Sequence, residues 1–252
     1  MSSSPFSLSV VKKINRSFGK AIHNYNMISD GDRIAVGISG GCDSMTLLWF
    51  LIHRLAKIPV KYELVCIHID PGFDKSFAPL LKQFIRDWGA SLIVDHTNHG
   101  LVAHSSENKE NPCFLCARLR RKRIFEIADQ YNCNKIAFGH NKDDLIETLM
   151  INMFYAGEIS CMKPFQPFFE GKFTVIRPLA YTDAGLIRRF VKSFQLPEFI
   201  NPCPSSTVSQ RSEIREMLFK LYQKNKKIKG NLFRAMHNVK PEYLLPASGK
   251  IT

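Results

Sequence analysis

No stretch of about eighteen apolar residues occurs in the 252-residue chain, which excludes an ordinary membrane-spanning helix. The opening residues, MSSSPFSLSVVKK, lack the basic start and apolar centre of a secretory leader. These two absences lead us to expect a soluble, cytoplasmic protein with no membrane partner. Cysteine comes in an odd number, seven, and an odd count without an export signal argues against a disulfide framework. Acidic residues are also scarce: 22 Asp and Glu face 35 Lys and Arg, a net charge of +13. Such an excess favours a polyanionic partner through long-range attraction and counterion release, although a merely basic, well-solvated surface would give the same composition.

Two common phosphate-binding signatures, G-x-x-x-x-G-K-S/T and G-x-G-x-x-G, are missing as well. What is present is an alternation of strand and helix. The short apolar runs RIAVGI (33–38), YELVCIHI (62–69), SLIVDH (91–96), NKIAFG (134–139) and FTVIRPL (173–179) read as five buried strands. Helical spacing marks 44–56, 77–89, 115–131, 142–156, 183–194 and 209–224. This order predicts an α/β fold with a doubly wound, parallel five-stranded sheet, whose ligands bind at the C-terminal ends of the strands. A helix within 8–28 is expected to pack outside the sheet, so residues 1–29 are read as a helical extension and 30–245 as the main domain. The polar segment 97–112 has no periodicity and is expected to be a loop over the site.

The first strand ends in SGGCDS (39–44). Gly40 and Gly41 let the backbone wrap closely around an anion, and the helix that follows aims free N–H groups and its positive end at that anion. Ser39 and Ser44 add hydroxyl donors, and Asp43 is suited to a Mg2+ ion on the phosphate oxygens. Taken alone, a serine–glycine turn between strand and helix would read the same way; the full six-residue pattern favours anion binding.

S-G-G-x-D-S after a first strand resembles the PP-loop of the ATP pyrophosphatase families, which split ATP between its α- and β-phosphates and adenylate a substrate oxygen. Together with FGHNKDDLIETLMINMFYAG (138–157), IRPLAY (176–181), NPCFLCARLRR (111–121) and AMHNVKPEYL (235–244), the chain resembles TtcA-type tRNA 2-thiocytidine synthetases from about residue 30 to 245. The resemblance implies an adenine-nucleotide α-hydrolase-like fold, ATP and Mg2+ as ligands, and tRNA as partner. It implies that Ser39–Ser44 bind phosphates, that Asp70, Gly139 and His140 line the nucleotide pocket, and that Asp143 and Asp144 join Asp43 in holding Mg2+ or pyrophosphate. Position 42 is Cys where this family commonly has Lys; Arg118 or Arg120 is the expected substitute for the missing phosphate contact. A homodimer is also compatible with the resemblance, though no residue pattern here carries it.

The pair Cys113–Cys116 runs into the basic cluster Arg118, Arg120, Arg121, Lys122 and Arg123, expected to hold an RNA backbone. From the residues alone the pair has two strong uses. With Cys203 and either His99 or His104 it would form a Cys3His zinc site. The resemblance instead implies a 4Fe-4S cluster on Cys113, Cys116 and Cys203, with one iron left without a protein ligand, where sulfide from a free pool or a cysteine desulfurase would be delivered to the activated carbon. A thioredoxin-like dithiol fits less well, because the pair follows a polar loop instead of opening a helix after a first strand. Cys66 and Cys133 read as buried small residues, and Cys161 has no assigned part. The expected activity is therefore thiolation of a tRNA cytidine. A tRNA uridine or a small molecule as acceptor, or a zinc-containing RNA-binding protein, are the alternatives.

Overall fold

The computed structural model describes residues 8–245 except 75, 198, 200–202 and 204–209. Residues 1–7, which the sequence reads as lacking a secretory leader, and the two prolines that flank Cys203 lie outside the described residues.

At the centre is β1 (Asp32–Gly37), whose Ile34, Ala35 and Val36 are wholly buried between helices on both faces. A strand covered on both faces must be apolar at successive positions, so no polar–apolar alternation is seen. β1 pairs in parallel with β2 (Tyr62–Asp70) on one side and β4 (Lys135–Ala137) on the other. β3 (Leu92–His96) extends the sheet beyond β2, and β6 (Phe173–Ile176) extends it beyond β4, both in parallel. All five expected strands are present in parallel. A sixth, β5 (Phe165–Phe168), adds antiparallel to β6, giving the order β3-β2-β1-β4-β6-β5. β5 contains Pro167, which an edge strand tolerates because its outward side has no ladder to complete.

Helices cover the two faces. α1 (Ser9–Asn24), α2 (Cys42–Leu55), α3 (Ala78–Asp87) and α7 (Ala184–Ser193) share one apolar cluster with β1. α1 buries Val11, Ile14, Phe18 and Ala21 in that cluster, at the i, i+3, i+4 spacing of one helical face. α5 (Pro112–Gln130) covers the opposite face with Ile124, Phe125, Ile127 and Ala128. α6 (Lys142–Ile151), α8 (Gln210–Lys224) and α9 (Ile228–Ala235) form a third cluster around Ile146, Leu149, Ile214 and Leu218. The buried Glu147 ties α6 to α8 through a two-bonded contact with Arg215, at 2.8 and 3.0 Å.

Three boundaries differ from expectation. The segment 97–112 contains a short helix, α4 (His99–Ala103), seated by the Gly100 N–H donating to the Pro71 carbonyl. α5 starts at Pro112, three residues before the expected 115, because the Asn111 side chain accepts from the N–H groups of Cys113 and Phe114 and proline fills the first helical position. The expected helix 142–156 leaves α geometry at Ile151, and Asn152–Ala156 form one π turn closed by Gly157.

The chain runs from β1 outward to β3, then returns to β4 on the other side of β1. The carboxyl ends of β1 and β4 therefore meet where the strand order reverses, the position at which open α/β sheets bind ligands.

Candidate nucleotide and thiol site

Ser39–Gly41 leave the end of β1 and turn directly into α2, with Gly41 as its N-cap. Gly40 has φ +81°, and a Cβ there would sit 2.7 Å from the Phe77 ring, so both backbone and space require glycine. The loop is held by its own hydroxyls. Ser39 N–H donates to Ser44 Oγ at 3.2 Å, Ser44 Oγ donates to the Gly41 carbonyl at 3.0 Å, and the two serine oxygens are 3.1 Å apart. The expected pocket residues Gly139 and His140 follow β4, and Gly139 lies flat against the backbone of Asp43 and Ser44. A cavity of about 260 Å³ opens here, lined by Ser39, Asp43, Ser44, Gly139, His140, Asp144 and Arg120. A second, of about 200 Å³, is lined by Ser39, Gly41, His68, Asp70, Phe77 and Arg120.

The three expected acids together line a broad cavity of about 930 Å³ beside Cys42, but only two of them also reach the phosphate side. Asp43 and Asp144 face the phosphate-side cavity of about 260 Å³ together. Asn141 joins them: its amide donates to Asp43 Oδ1 at 2.9 Å, its oxygen caps α6, and its N–H donates to Asp144 at 2.9 Å. Asp143 shares only the broad cavity with them. It accepts from the Ala184 N–H at the start of α7 at 2.8 Å and pairs with Lys229 of α9 at 2.7 Å, so its oxygens tie elements together.

Burial, and then the charge of Asp144, raise the Asp43 carboxyl from 3.8 to about 6. The folded chain therefore holds this proton more tightly than the unfolded one. That contribution stabilises the metal-free fold below about pH 4 and is lost as pH rises through about 6. Asp43→Asn is expected to flatten the fall in melting temperature over this window and to melt higher near neutral pH. Thermal melts in the absence of Mg2+ check it; an unchanged pH profile would place the strain elsewhere.

Asp70 ends β2, buried, and accepts from the Gly72 N–H at 3.0 Å and from the Ser76 hydroxyl. Burial pushes its carboxyl up, but the Ser76 and Gly72 bonds with His68 and His96 nearby outweigh it and hold the group below its usual range. It therefore stays ionised beside the loop. Burial pushes His140 the opposite way, down to about 3, with Arg177, Arg211 and Arg121 adding to the fall. His140 is a neutral imidazole, and its Nδ1 has no hydrogen-bond partner among the described residues.

Cys113 and Cys116 occupy the first turns of α5, so the pair does open a helix, though after β3 and α4 and not after a first strand. Burial pushes the Cys116 thiol up; the nearby Arg120 guanidinium pulls it back, while Cys203 and Cys113 are near enough to add to the rise. Cys203 Sγ lies 3.9 Å from His104 Nε2. His99 instead stands among Asp95, Arg123 and Glu126. Among the described residues no three His, Cys, Asp or Glu side chains close on one point tightly enough for a single ion. A tetrahedral zinc needs sulfurs roughly 4 Å apart, whereas a cluster spreads its thiolates over separate irons. Three thiols that sense one another without closing on a point fit the larger group.

The basic residues divide in the same manner. Arg120 lines both cavities beside the loop and stands beside Cys116. Arg118 pairs with Glu110 at 2.9 Å on the surface, leaving Arg120 as the cation available in place of a lysine at position 42. Arg121 and Lys122 are exposed; Arg123 is held by Asp95 at 2.7 and 3.0 Å and by Glu126 at 3.0 Å. Sequence reasoning passed over Asn141 and Arg177. The first had a signal, since Asn three residues before Asp at a helix start is a capping box. The second lay within the family block IRPLAY, but nothing there marked its burial, which depends on three separate elements.

Residues 10–222 match the family described as the PP-loop domain. A protein of Geotalea uraniireducens named tRNA-cytidine(32) 2-sulfurtransferase is 39% identical over 92% of this chain and 94% of its own length. One of the same name from Syntrophotalea carbinolica is 35% identical over 95% and 93%. Among solved structures, the U34-tRNA thiolase NcsA of Methanococcus maripaludis, described with its 4Fe-4S cluster, shares the fold with a TM-score of 0.76 at 22% identity, over 92% of this chain and 80% of that one. The NH3-dependent NAD synthetase of Campylobacter jejuni has a TM-score of 0.53 at 14% identity, over 95% and 98%. Loop, switch point and likeness agree: the chain belongs to the PP-loop family, and within it to the group of the tRNA-cytidine(32) 2-sulfurtransferases.

Proposed function

We propose that the protein is an ATP-dependent tRNA thiolase, adenylating the C2 oxygen of a cytidine in tRNA and replacing it with sulfur. The observation that carries this reading is Arg120. One guanidinium lines the cavities at Ser39 and Asp43 and stands beside Cys116, so the thiol site and the phosphate loop share a wall.

The residues then have separate parts. Ser39–Ser44 cradle the phosphates with backbone N–H groups and the α2 N-terminus. Asp43 and Asp144, steadied by Asn141, hold Mg2+, which supplies positive charge to the leaving pyrophosphate. Asp143, tied to Lys229, supports this arrangement by fixing α7 and α9. Arg120 stabilises charge at the α-phosphate. His140 stays neutral and orients a partner by hydrogen bonding. Cys113, Cys116 and Cys203 would hold the 4Fe-4S cluster, which would supply a site for sulfide from a free pool or a desulfurase. The exposed Arg118, Arg121 and Lys122 face the RNA backbone.

Oxygen-free protein, given unmodified tRNA, Mg2+-ATP and sulfide, is expected to yield 2-thiocytidine on nucleoside analysis, in amounts that depend on ATP. A thiolated uridine would change the acceptor. No thionucleoside, with one zinc per chain and no iron, would overturn the reading.

A further inference from the structure

Beside the phosphate-side cavity lies a larger one, of about 550 Å³, between α5, α6, the loop at Cys161 and the β5–β6 edge. The two share Arg120, Ile124, Phe138 and His140 as a common wall. Nothing described so far uses this space.

Its floor is Arg177, one residue past β6 and only 7% exposed. One end of its guanidinium donates to the Lys163 carbonyl, but its Nε has no partner. Its charged neighbour is Arg121, the nearby Cys161 being a thiol that burial keeps neutral, and no carboxylate pairs with it among the described residues. Arg121 stands at the exposed rim, and Arg120 in the shared wall also has an unpartnered Nε. Three guanidiniums thus face a cavity with no acidic residue in its lining. Burying a cation without a counter-charge is costly, so a protein that keeps one in place is arranged for an anion that arrives. The remaining lining is unlike a bare phosphate site: Phe138 and Phe168 offer ring surfaces and Gln166 offers a side-chain amide. Aromatic walls, an amide and a cationic floor together suit an unstacked nucleotide.

We propose that this cavity is the acceptor-nucleotide subsite: it takes one unpaired nucleotide of the RNA, with the adjoining phosphate on Arg177 and Arg121 and the base between the aromatic walls. The proposal rests on the thiolation reading. It also gives that reading a direction. The ATP phosphates belong to the loop side of the shared wall and the base to the other, so the oxygen to be adenylated meets the α-phosphate across His140 and Arg120.

The test uses full-length protein and an RNA stem-loop with an unpaired cytidine, read by fluorescence anisotropy, with Mg2+-ATP affinity and melting temperature in parallel. Arg177→Gln is expected to weaken RNA binding roughly tenfold to a hundredfold, the range for losing a charge-assisted contact. Mg2+-ATP affinity should stay unchanged. Melting temperature should hold or rise, since an unpaired buried charge is removed; an arginine that only braced the fold would lower it. Arg121→Gln, at the exposed rim, carries no folding risk and is expected to weaken RNA by about tenfold. Unchanged RNA affinity in both variants overturns the subsite, as does a loss confined to Mg2+-ATP, which would give the arginines to the nucleotide. If the wild-type protein itself fails to bind the stem-loop, the thiolation reading falls with it.

Discussion

Cys113→Ala, Cys116→Ala and Cys203→Ala are each expected to bring tRNA thiolation below detection while leaving Mg2+-ATP binding intact. The three thiols come from two places in the chain, the first turns of α5 and the stretch after α7, and meet beside Arg120. A cluster held by three thiolates loses a covalent tie with each substitution, and no described side chain stands ready to replace it except His104 beside Cys203. The phosphate loop is built from other residues, so nucleotide binding should survive. None of the three cysteines is fully buried, so the fold should survive as well. Cys66→Ala and Cys133→Ala supply the contrast. Both thiols are buried, and burial raises both well above the usual thiol range, to about 12 and about 11. They behave as small apolar side chains, and their loss should lower stability slightly and spare activity. The measurements are thionucleoside yield and the visible band of oxygen-free protein. Full activity in any one of the three variants would rule out the three-thiol site. Reduced but measurable activity confined to Cys203→Ala would indicate that His104 takes its place.

Much of this site is encoded locally, and that part is readable. The run RIAVGI can only be a strand covered on both faces, and a Ser-Gly-Gly turn after it can only tighten toward a helix start. Asn111-Pro112 announces the start of α5 in the same local manner, although the C-x-x-C spacing draws attention away from it. What resists reading depends on contacts distant in sequence. Asp143 and Asp144 look alike side by side, yet Lys229, 86 positions downstream, turns Asp143 toward α9 and leaves Asp144 to Asp43. Arg123 resembles its basic neighbours until Asp95 on β3 takes two of its nitrogens and Glu126 the third. β5 escapes because four residues including a proline carry no strand signal; its place comes from the β6 edge it completes. The burial of Arg177 belongs to the same class, since the loop at Lys163, α5 and β6 must all assemble before it is enclosed.

Gly139→Ala is expected to remove Mg2+-ATP binding, and thiolation with it, by the smallest change available. Gly139 lies where β4 hands over to His140, directly behind the phosphate loop. A Cβ at this position would fall 2.9 Å from the carbonyl carbon of Asp43 and 2.9 Å from the N–H nitrogen of Ser44. Both are backbone atoms, so no side chain can swing aside, and the first turn of α2 must move instead. That turn carries the N–H groups aimed at the phosphates, Asp43 with its bond from Asn141, and Ser44 with its bonds to Ser39 and Gly41. Displacing a binding array by about 1 Å costs on the order of a hundredfold, and here donors and metal ligand shift together. Overpacking at one methyl destabilises by about 1–3 kcal/mol, which leaves most of the chain folded. Titration with Mg2+-ATP, alongside circular dichroism, separates the two effects. Folded protein that no longer binds nucleotide confirms that β4 sets the position of the loop. Folded protein that binds normally would mean that the loop rests on α2 alone, and the contact across the switch point would then be packing without consequence for the nucleotide.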